Sequence, residues 1–233
     1  MHLRALGLGS ASPTAAAALF GTLGARIGGT PRGDDTLVLV GTMLTYRRDA
    51  APTRTVLGFM VPDVTMTEER LTAAGIEWSC ETPGVIGFRD SDGNPSYAIE
   101  APQRDGLSLI AATVFVRDPA ASVAWWAAAG LPTGRAETLG YHVPRAARHD
   151  SDTAVFLDGD LTLHLAAAGD GPVTAAMQLR IHVAAPAALD AAEAGLTALG
   201  SPVERSETEL RTATPEGIAV ALMMRDGIAP DPT

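Results

Sequence analysis

The chain has 233 residues, of which 46% are hydrophobic and 5% aromatic, and its formal net charge at pH 7 is −10. This length suits one large domain or two domains of about 115 residues each. An acidic chain without a basic stripe argues against a nucleic-acid partner. Cys80 is the only cysteine, which excludes an internal disulfide and a thiolate metal cluster. The apolar run near the N-terminus is too short to span a bilayer, and polar residues interrupt its resemblance to a signal peptide, so we expect a cytoplasmic protein without a membrane partner.

The first quarter of the chain predicts one strand, one helix and two further strands. The stretch LRALGLG predicts the first strand, and SPTAAAALFGTLG predicts a helix with Pro13 in its first turn and Gly24 as its stop. The apolar stretches TLVLV and MLTYR predict the strands that follow. This order makes one unit of about 50 residues.

The second quarter repeats this order. TVLGFMV predicts a strand, and MTEERLTAAG predicts an amphipathic helix that stops at Gly75. VIGF and SYAIE predict later strands, separated by the turn sequence DSDGN at residues 90–94. The sequence therefore contains a second strand–helix–strand unit.

The second half of the chain repeats both units. IAATVFV is followed by DPAASVAWWAAAG, which ends at Gly130, and then by AVFL and LTLHLA. MQLRIHV is followed by LDAAEAGLTALG, which ends at Gly200, and then by ELRTA and IAVALMM. The stretch TPEG before the last strand is a softer copy of the DSDGN turn. We therefore predict four modules, at about 1–50, 54–103, 109–168 and 175–226.

Four βαβββ modules, with Asp118-Pro119 before a helix and DSDGN before a last strand, resemble the vicinal oxygen chelate superfamily. That superfamily includes glyoxalase I, bleomycin-resistance proteins and extradiol dioxygenases. The resemblance runs from Leu3 to Met224 and implies an α+β fold. Four βαβββ modules would form two cup-shaped mixed β-sheets with helices on their outer faces. We assign a first domain to residues 1–106 and a second to 107–233, and leave open whether the modules pair within each half or cross over.

The resemblance also implies where metal ligands would lie. One ligand would come from the first strand of each module and one from the last. The first-strand positions are Ala5, Val56, Ala111 and Gln178. The last-strand positions are Tyr97 and Ala221, and Tyr46 and His164 are the nearest candidates in the other two modules. Because divalent cations need several oxygen or nitrogen ligands, we predict no metal cofactor. The alternative is a divalent metal held by Gln178 and His164 in the second-domain cup.

The alternation of side chains along the strands predicts two different linings. Apolar side chains should lie under the helices, and the opposite faces should line the cups. The predicted polar cup contains Thr113, Phe115, Thr162, His164, Gln178, Arg180 and His182. The predicted apolar cup contains Ala5, Gly7, Leu44, Tyr46, Val56, Gly58, Met60 and Tyr97. Alternation alone does not say which face is concave, so the histidines could face solvent and the tyrosines could be ordinary sheet packing.

Two functions follow from these linings. The first is a metal-free binding protein that sequesters a hydrophobic natural product or drug, as the resemblance to bleomycin-resistance proteins implies. The alternative is an enzyme of the same superfamily (a lyase, isomerase, cyclase or dioxygenase) that uses the histidine, arginine and glutamine side chains of the second domain. Either would be a monomer or homodimer with a small-molecule ligand. The metal-like run HDSD at residues 149–152 is interpreted as a solvated turn.

Overall fold

The structure is a computed structural model and describes residues 1–29, 36–40, 42–48, 50–135, 153–158 and 161–224. Each sequence repeat forms a strand, a helix and three further strands. The first module consists of β1 (His2–Gly9), α1 (Pro13–Thr22), β2 (Arg26–Gly29), β3 (Thr36–Val40) and β4 (Thr42–Arg47). The second consists of β5 (Val56–Val61), α2 (Val64–Ala73), β6 (Trp78–Thr82), β7 (Val85–Arg89) and β8 (Pro95–Glu100).

The second half of the chain follows the same order. The third module consists of β9 (Ser108–Val116), α3 (Pro119–Ala128), β10 (Thr133–Arg135), β11 (Thr153–Asp158) and β12 (Leu161–Ala167). The fourth consists of β13 (Gln178–Val183), α4 (Pro186–Ala198), β14 (Val203–Arg205), β15 (Glu209–Ala213) and β16 (Ala219–Met224). These elements lie inside the predicted module bounds, except that β9 begins one residue before its module.

The helix ends form where the sequence predicts them. Asp63 caps α2, because its carboxylate accepts the Met66 amide at 2.9 Å. Asp118 caps α3 in the same way, accepting the Ala120 amide at 2.9 Å. Each of α1 to α4 is followed by a glycine with positive φ, which is a backbone conformation that side chains disfavour. These are Gly24, Gly75, Gly130 and Gly200.

The modules cross over between the halves of the chain. One sheet, here sheet A, has the order β14-β15-β16-β13-β1-β4-β3-β2. The other, sheet B, has the order β10-β11-β12-β9-β5-β8-β7-β6. Sheet A therefore joins the first and fourth modules, and sheet B joins the second and third. The sequence left this pairing open between residues 1–106 and 107–233, and the structure selects the crossover. The reason is that β1 pairs with β13 and β5 pairs with β9, both antiparallel.

One apolar core lies between the two sheets. Phe20 of α1 stacks on Tyr46 of sheet A, with ring centroids 5.8 Å apart, and also contacts Phe59 of sheet B at 5.2 Å. Trp125 and Trp126 of α3 are both buried and meet edge to face at 4.8 Å. The helices thus cover one face of each sheet, and the opposite faces are free of the described helices. The predicted fold class, α+β with four βαβββ modules and two mixed sheets, is confirmed.

Candidate functional site

The helix-free face of sheet B is an apolar surface. In β5, Leu57, Phe59 and Val61 join the common core, whereas Val56 and Met60 belong to a separate apolar cluster. Strand pairing places residues of β8, β9 and β12 beside them. We call this face the sheet-B cup; it comprises Val56, Gly58, Met60, Tyr97, Ala111, Thr113, Phe115, Thr162, His164 and Ala166. Most of its side chains are buried.

The helix-free face of sheet A is polar and more accessible. Leu179, Ile181 and Val183 of β13 enter the common core, so the intervening residues of β13 lie on the opposite face. Pairing with β1, β4 and β16 identifies their neighbours. We call this face the sheet-A cup; it comprises His2, Ala5, Gly7, Met43, Thr45, Arg47, Gln178, Arg180, His182, Ala219, Ala221 and Met223.

The crossover divides the residues that the sequence assigned to one polar cup. Thr113, Phe115, Thr162 and His164 lie in the sheet-B cup, together with Met60 and Tyr97. Gln178, Arg180 and His182 lie in the sheet-A cup. The joint metal site of Gln178 and His164 is therefore wrong, because the two residues lie on different sheets. Ala5 and Gly7 likewise move to sheet A, away from the apolar cup predicted for them.

Tyr46 lies in neither cup. It is buried in the common core beside Leu44 and against Phe20. Burial raises the pKa of its phenol well above 10.0, and Asp90 and Asp92 raise it further. The prediction that Tyr46 lines a cup is wrong by one residue of register: Thr45 pairs with Gly7 and faces the sheet-A cup instead. A one-residue shift along a strand exchanges its two faces.

The sheet-B cup contains one histidine, His164, and its pKa is lowered. It is half-buried and pairs with Thr113 of β9 on one side and Ala154 of β11 on the other. Burial lowers its pKa from the ordinary value of 6.5, because desolvation disfavours the charged ring. The imidazole is therefore neutral at pH 7 and offers one donor and one acceptor.

Tyr97 covers the centre of the sheet-B cup. Its partner across the strands is Gly58, and a Cβ atom added to Gly58 would overlap the Tyr97 ring at its Cζ atom. The ring therefore lies directly over the glycine, where any larger residue would displace it. Burial raises the pKa of the Tyr97 phenol, so it stays protonated at neutral pH and can donate a hydrogen bond.

The DSDGN turn holds the junction between the sheets together. Asp90 Oδ1 accepts the Asn94 amide at 2.8 Å, and Asn94 Nδ2 donates to Asp90 Oδ2 and to the Thr53 carbonyl, both at 3.0 Å. Thr53 in turn donates its amide to the Gly9 carbonyl at 2.9 Å and accepts the Gly9 amide through Oγ1 at 2.8 Å. The turn is thus an anchor between β8, β5 and β1, which is a structural role.

The residues at the ligand positions that the vicinal oxygen chelate resemblance implies do not fit a divalent metal. Register places Thr45, Tyr97, His164 and Ala221 at equivalent last-strand positions. The sheet-B cup then offers Val56, Ala111, Tyr97 and His164, and the sheet-A cup offers Ala5, Gln178, Thr45 and Ala221. Neither set contains a carboxylate or two imidazoles. Within the described ranges, no group of three His, Cys, Asp or Glu side chains could hold a metal ion.

Two further residues of the sheet-A cup, Thr45 and Arg47, could have been predicted from the alternation of side chains along β4. Leu44 and Tyr46 are core, so Thr45 and Arg47 had to be on the other face. Arg47 leans over Gly7: its Cδ atom lies 3.8 Å from where a Cβ on Gly7 would be. The run HDSD at residues 149–152 lies outside the described residues.

The fold defines a class of protein. Two mixed sheets are each built from two βαβββ modules, and each sheet has helices on one face and none of the described helices on the other. Glyoxalase I from Zea mays has this fold, with a TM-score of 0.63 and 15% identity, covering 96% of this chain and 92% of that chain. A point variant of the same Zea mays enzyme gives a TM-score of 0.66 over 96% and 93% of the two chains at 15% identity. A Bacillus subtilis protein provisionally described as a dioxygenase gives 0.64 at 14% identity, over 96% and 85%.

These similarities establish the fold that the vicinal oxygen chelate resemblance implied. Their low identity carries no activity to this chain. No protein-family model matches the sequence, and no curated protein matches it either. Among the helices of the described ranges, none is both long and apolar enough to cross a membrane.

Proposed function

We propose that the protein binds a hydrophobic small molecule in the sheet-B cup without a metal. The observation that carries this proposal is the separate apolar cluster on a sheet face that none of the described helices covers. An apolar recess with a few polar groups is the usual form of a small-molecule site. Here the polar groups are His164, Thr113 and Thr162, and Met60 and Phe115 contribute apolar surface.

The chemistry of the cup favours a ligand with an apolar body and one polar end. Phe115 already carries the Arg54 guanidinium, 4.0 Å from its ring centroid, so that cation borders the apolar surface. Arg54 also donates to the Pro172 carbonyl at 2.6 Å, which holds it in place. A neutral His164 could either donate to or accept from the ligand's polar group.

A dye titration tests the site. Nile red, a neutral hydrophobic dye, should show saturable fluorescence enhancement with the wild-type protein. Ala111→Phe should abolish it by filling the sheet-B cup. The matched control is Ala5→Phe, which changes the same module position on sheet A and should leave dye binding intact. Equal binding in all three proteins, each shown to be folded by circular dichroism, would refute the sheet-B site.

Elemental mass spectrometry of purified, untagged protein tests metal independence. The ligand positions support a prediction of no stoichiometric metal, with or without added Zn²⁺, Mn²⁺ or Fe²⁺. About one metal per chain that disappears in His164→Ala or Gln178→Ala would overturn the metal-free proposal. Such a result would indicate a metalloenzyme. The variant that loses the metal would show whether the metal site lies in sheet B, with His164, or in sheet A, with Gln178.

A second candidate function is catalysis by His164. The observation in its favour is the lowered pKa of its imidazole, which leaves the ring free to accept a proton at pH 7. To separate the candidates, small molecules that copurify with the protein are extracted and incubated with fresh wild-type and His164→Ala protein. A binding protein returns the molecule unchanged from both. An enzyme returns a product from the wild type alone.

Cytoplasmic location, a monomeric or homodimeric state and the absence of a nucleic-acid partner remain parts of this proposal. The net charge of −10 supports the last of these.

A further inference from the structure

The middle of the sheet-A cup is basic in an acidic protein. The chain carries a net charge of −10, yet Arg47, Arg180, His2 and His182 lie on this one face. Over their described residues, the four central strands β1, β4, β13 and β16 present no carboxylate on it. Opposite charge begins only on β15, where Glu209 is bound to Arg211 at 2.8 Å. Arg180, on a face where these strands carry no carboxylate, is the group that favours an anion.

Arg180 has room around its guanidinium. Its neighbours across the strands are Ala5 on β1 and Ala221 on β16, and both have only a methyl side chain. The Arg180 side chain is exposed, and no described carboxylate lies within ion-pair distance of it. Arg205 and Arg211, by contrast, are each paired with carboxylates. Arg180 thus retains a set of donors in a fork that suits a carboxylate or a phosphate.

The Gln178 amide lies on the same face as Arg180. Gly7 has no side chain, and a Cβ atom there would lie 3.3 Å from Gln178 Cβ and 3.8 Å from Arg47 Cδ. Arg47 and Gln178 therefore approach each other over Gly7, and Arg180 follows Gln178 on the same face of β13. The Arg180 guanidinium and the Gln178 amide therefore share this face with a floor of glycine and alanine. Met43 and Met223 supply apolar surface beside them.

We propose that the sheet-A cup is a second binding site, which takes a small organic oxyanion through Arg180 and Gln178. The ligand class is a carboxylate or phosphate monoester with a compact apolar body. The Arg180 guanidinium neutralises and orients the oxyanion, and the small residues leave space for the body over the sheet. This site does not depend on the sheet-B proposal, because the two cups belong to different sheets and share no strand.

The test uses two anionic probes and one neutral probe. Phenyl phosphate and phenylacetate represent the two oxyanions, and 2-phenylethanol is the uncharged control. Protein labelled with ¹⁵N-histidine is titrated at physiological ionic strength, where long-range attraction is screened. At least one anion should move the His182 ring resonances saturably, with a Kd of about 1 mM or lower, and leave those of His164 unchanged. The anion that binds more tightly identifies the class.

Matched arginine variants locate the donor. Arg180→Gln should weaken the anion about tenfold or more, since a charge-assisted hydrogen bond is lost. Arg211→Gln, which removes an arginine already paired on the same face, should keep the wild-type affinity. Three results would each overturn the proposal: no saturable shift with either anion, an equal response to 2-phenylethanol, or equal weakening in both variants. Because Arg180 and Arg211 are exposed, both variants should fold, and circular dichroism verifies this.

Discussion

At the scale of single residues, small differences in position separate the two cups. His164 and Thr45 occupy equivalent last-strand positions, but one is a half-buried imidazole and the other a threonine on the accessible face. Tyr46, one residue further, belongs to the core. What each residue can do therefore depends on which face of which sheet it occupies, and residue type alone is a poor guide.

The titration of His164 should be visible in stability. Its folded pKa lies below 6.5, so the unfolded chain takes up more protons once the pH falls below about 6.5. The free energy of unfolding should therefore fall as pH is lowered from 7 through this range. His164→Gln should make that fall shallower, measured by urea denaturation at a series of pH values. Thr162→Val, a non-titrating change in the same cup, should keep the wild-type slope. Equal slopes in all three proteins would contradict the burial of His164.

Gly58 should tolerate no side chain while Tyr97 keeps its place. Gly58→Ala puts a methyl group into the space that the Tyr97 ring occupies, which forces the ring out of position. We expect a loss of about 1–3 kcal/mol in the free energy of unfolding. Adding Tyr97→Val should recover part of the loss attributable to the clash, so the double variant should be less destabilised than the sum of the single changes. Strict additivity would show that the ring does not lie over Gly58.

At the scale of the elements, the DSDGN turn at residues 90–94 acts as an anchor, and the related turn at residues 214–217 has different hydrogen bonds. In the DSDGN turn, Asn94 links Asp90 to the Thr53 carbonyl. In the turn at residues 214–217, Thr214 Oγ1 accepts a hydrogen bond from the Ile218 amide at 3.2 Å, and Glu216 accepts one from the Ser122 hydroxyl at 2.5 Å. Both turns join a last strand to elements outside their own module. Neither presents a carboxylate to a cup at the last-strand position where the resemblance implies a ligand.

Asn94→Ala should therefore destabilise the protein without removing ligand binding. The change removes the side-chain donor that serves both the Asp90 carboxylate and the Thr53 carbonyl, and burial already raises the pKa of Asp90 above 3.8. We expect a loss of about 1–3 kcal/mol in thermal or urea unfolding. Ser91→Ala, an exposed change in the same turn, should be close to neutral. A near-neutral Asn94→Ala would contradict the anchoring role.

The sequence was a good guide to the elements. The strand–helix–strand order follows from apolar alternation, and the stops at Gly24, Gly75, Gly130 and Gly200 follow from the positive φ that each requires. Alternation also placed Met60, Phe115 and Arg180 on the helix-free faces. The sequence analysis misplaced Tyr46, because it chose the nearest polar side chain as the last-strand residue of the first module. The pairing of β1 with β4 shows that Thr45, one residue earlier, faces the cup.

At the scale of the whole molecule, the crossover links the two halves of the chain. Each sheet takes one module from residues 1–106 and one from 107–233, and the helices of both halves share one core. A half chain would expose the strand edges of β1 and β5 and the apolar residues beneath them. The halves should therefore depend on each other for folding.

Splitting the chain tests this dependence. Residues 1–103 and 104–233 expressed separately should be unfolded or insoluble, because each lacks the partner strands of both sheets. Coexpressed, they should copurify as a one-to-one complex with the wild-type circular dichroism spectrum. The control is an intact chain with a protease site in the same loop, cleaved after folding, which should stay associated. Two halves that fold and remain apart would contradict the crossover.

The sequence by itself determined the four modules, their helix ends and the alternating faces of their strands, because these depend on local propensity and side-chain period. It also determined the scarcity of metal donors at the ligand positions that the resemblance implies, which follows from residue type. Only the tertiary structure decided which modules pair, and so which residues share a cup. The four first strands alternate in the same way, so local pattern does not distinguish pairing within a half from crossover. The long-range pairing of β1 with β13 and of β5 with β9 selects the crossover. This arrangement places His164 and Gln178 in different cups, of which one is apolar and the other basic.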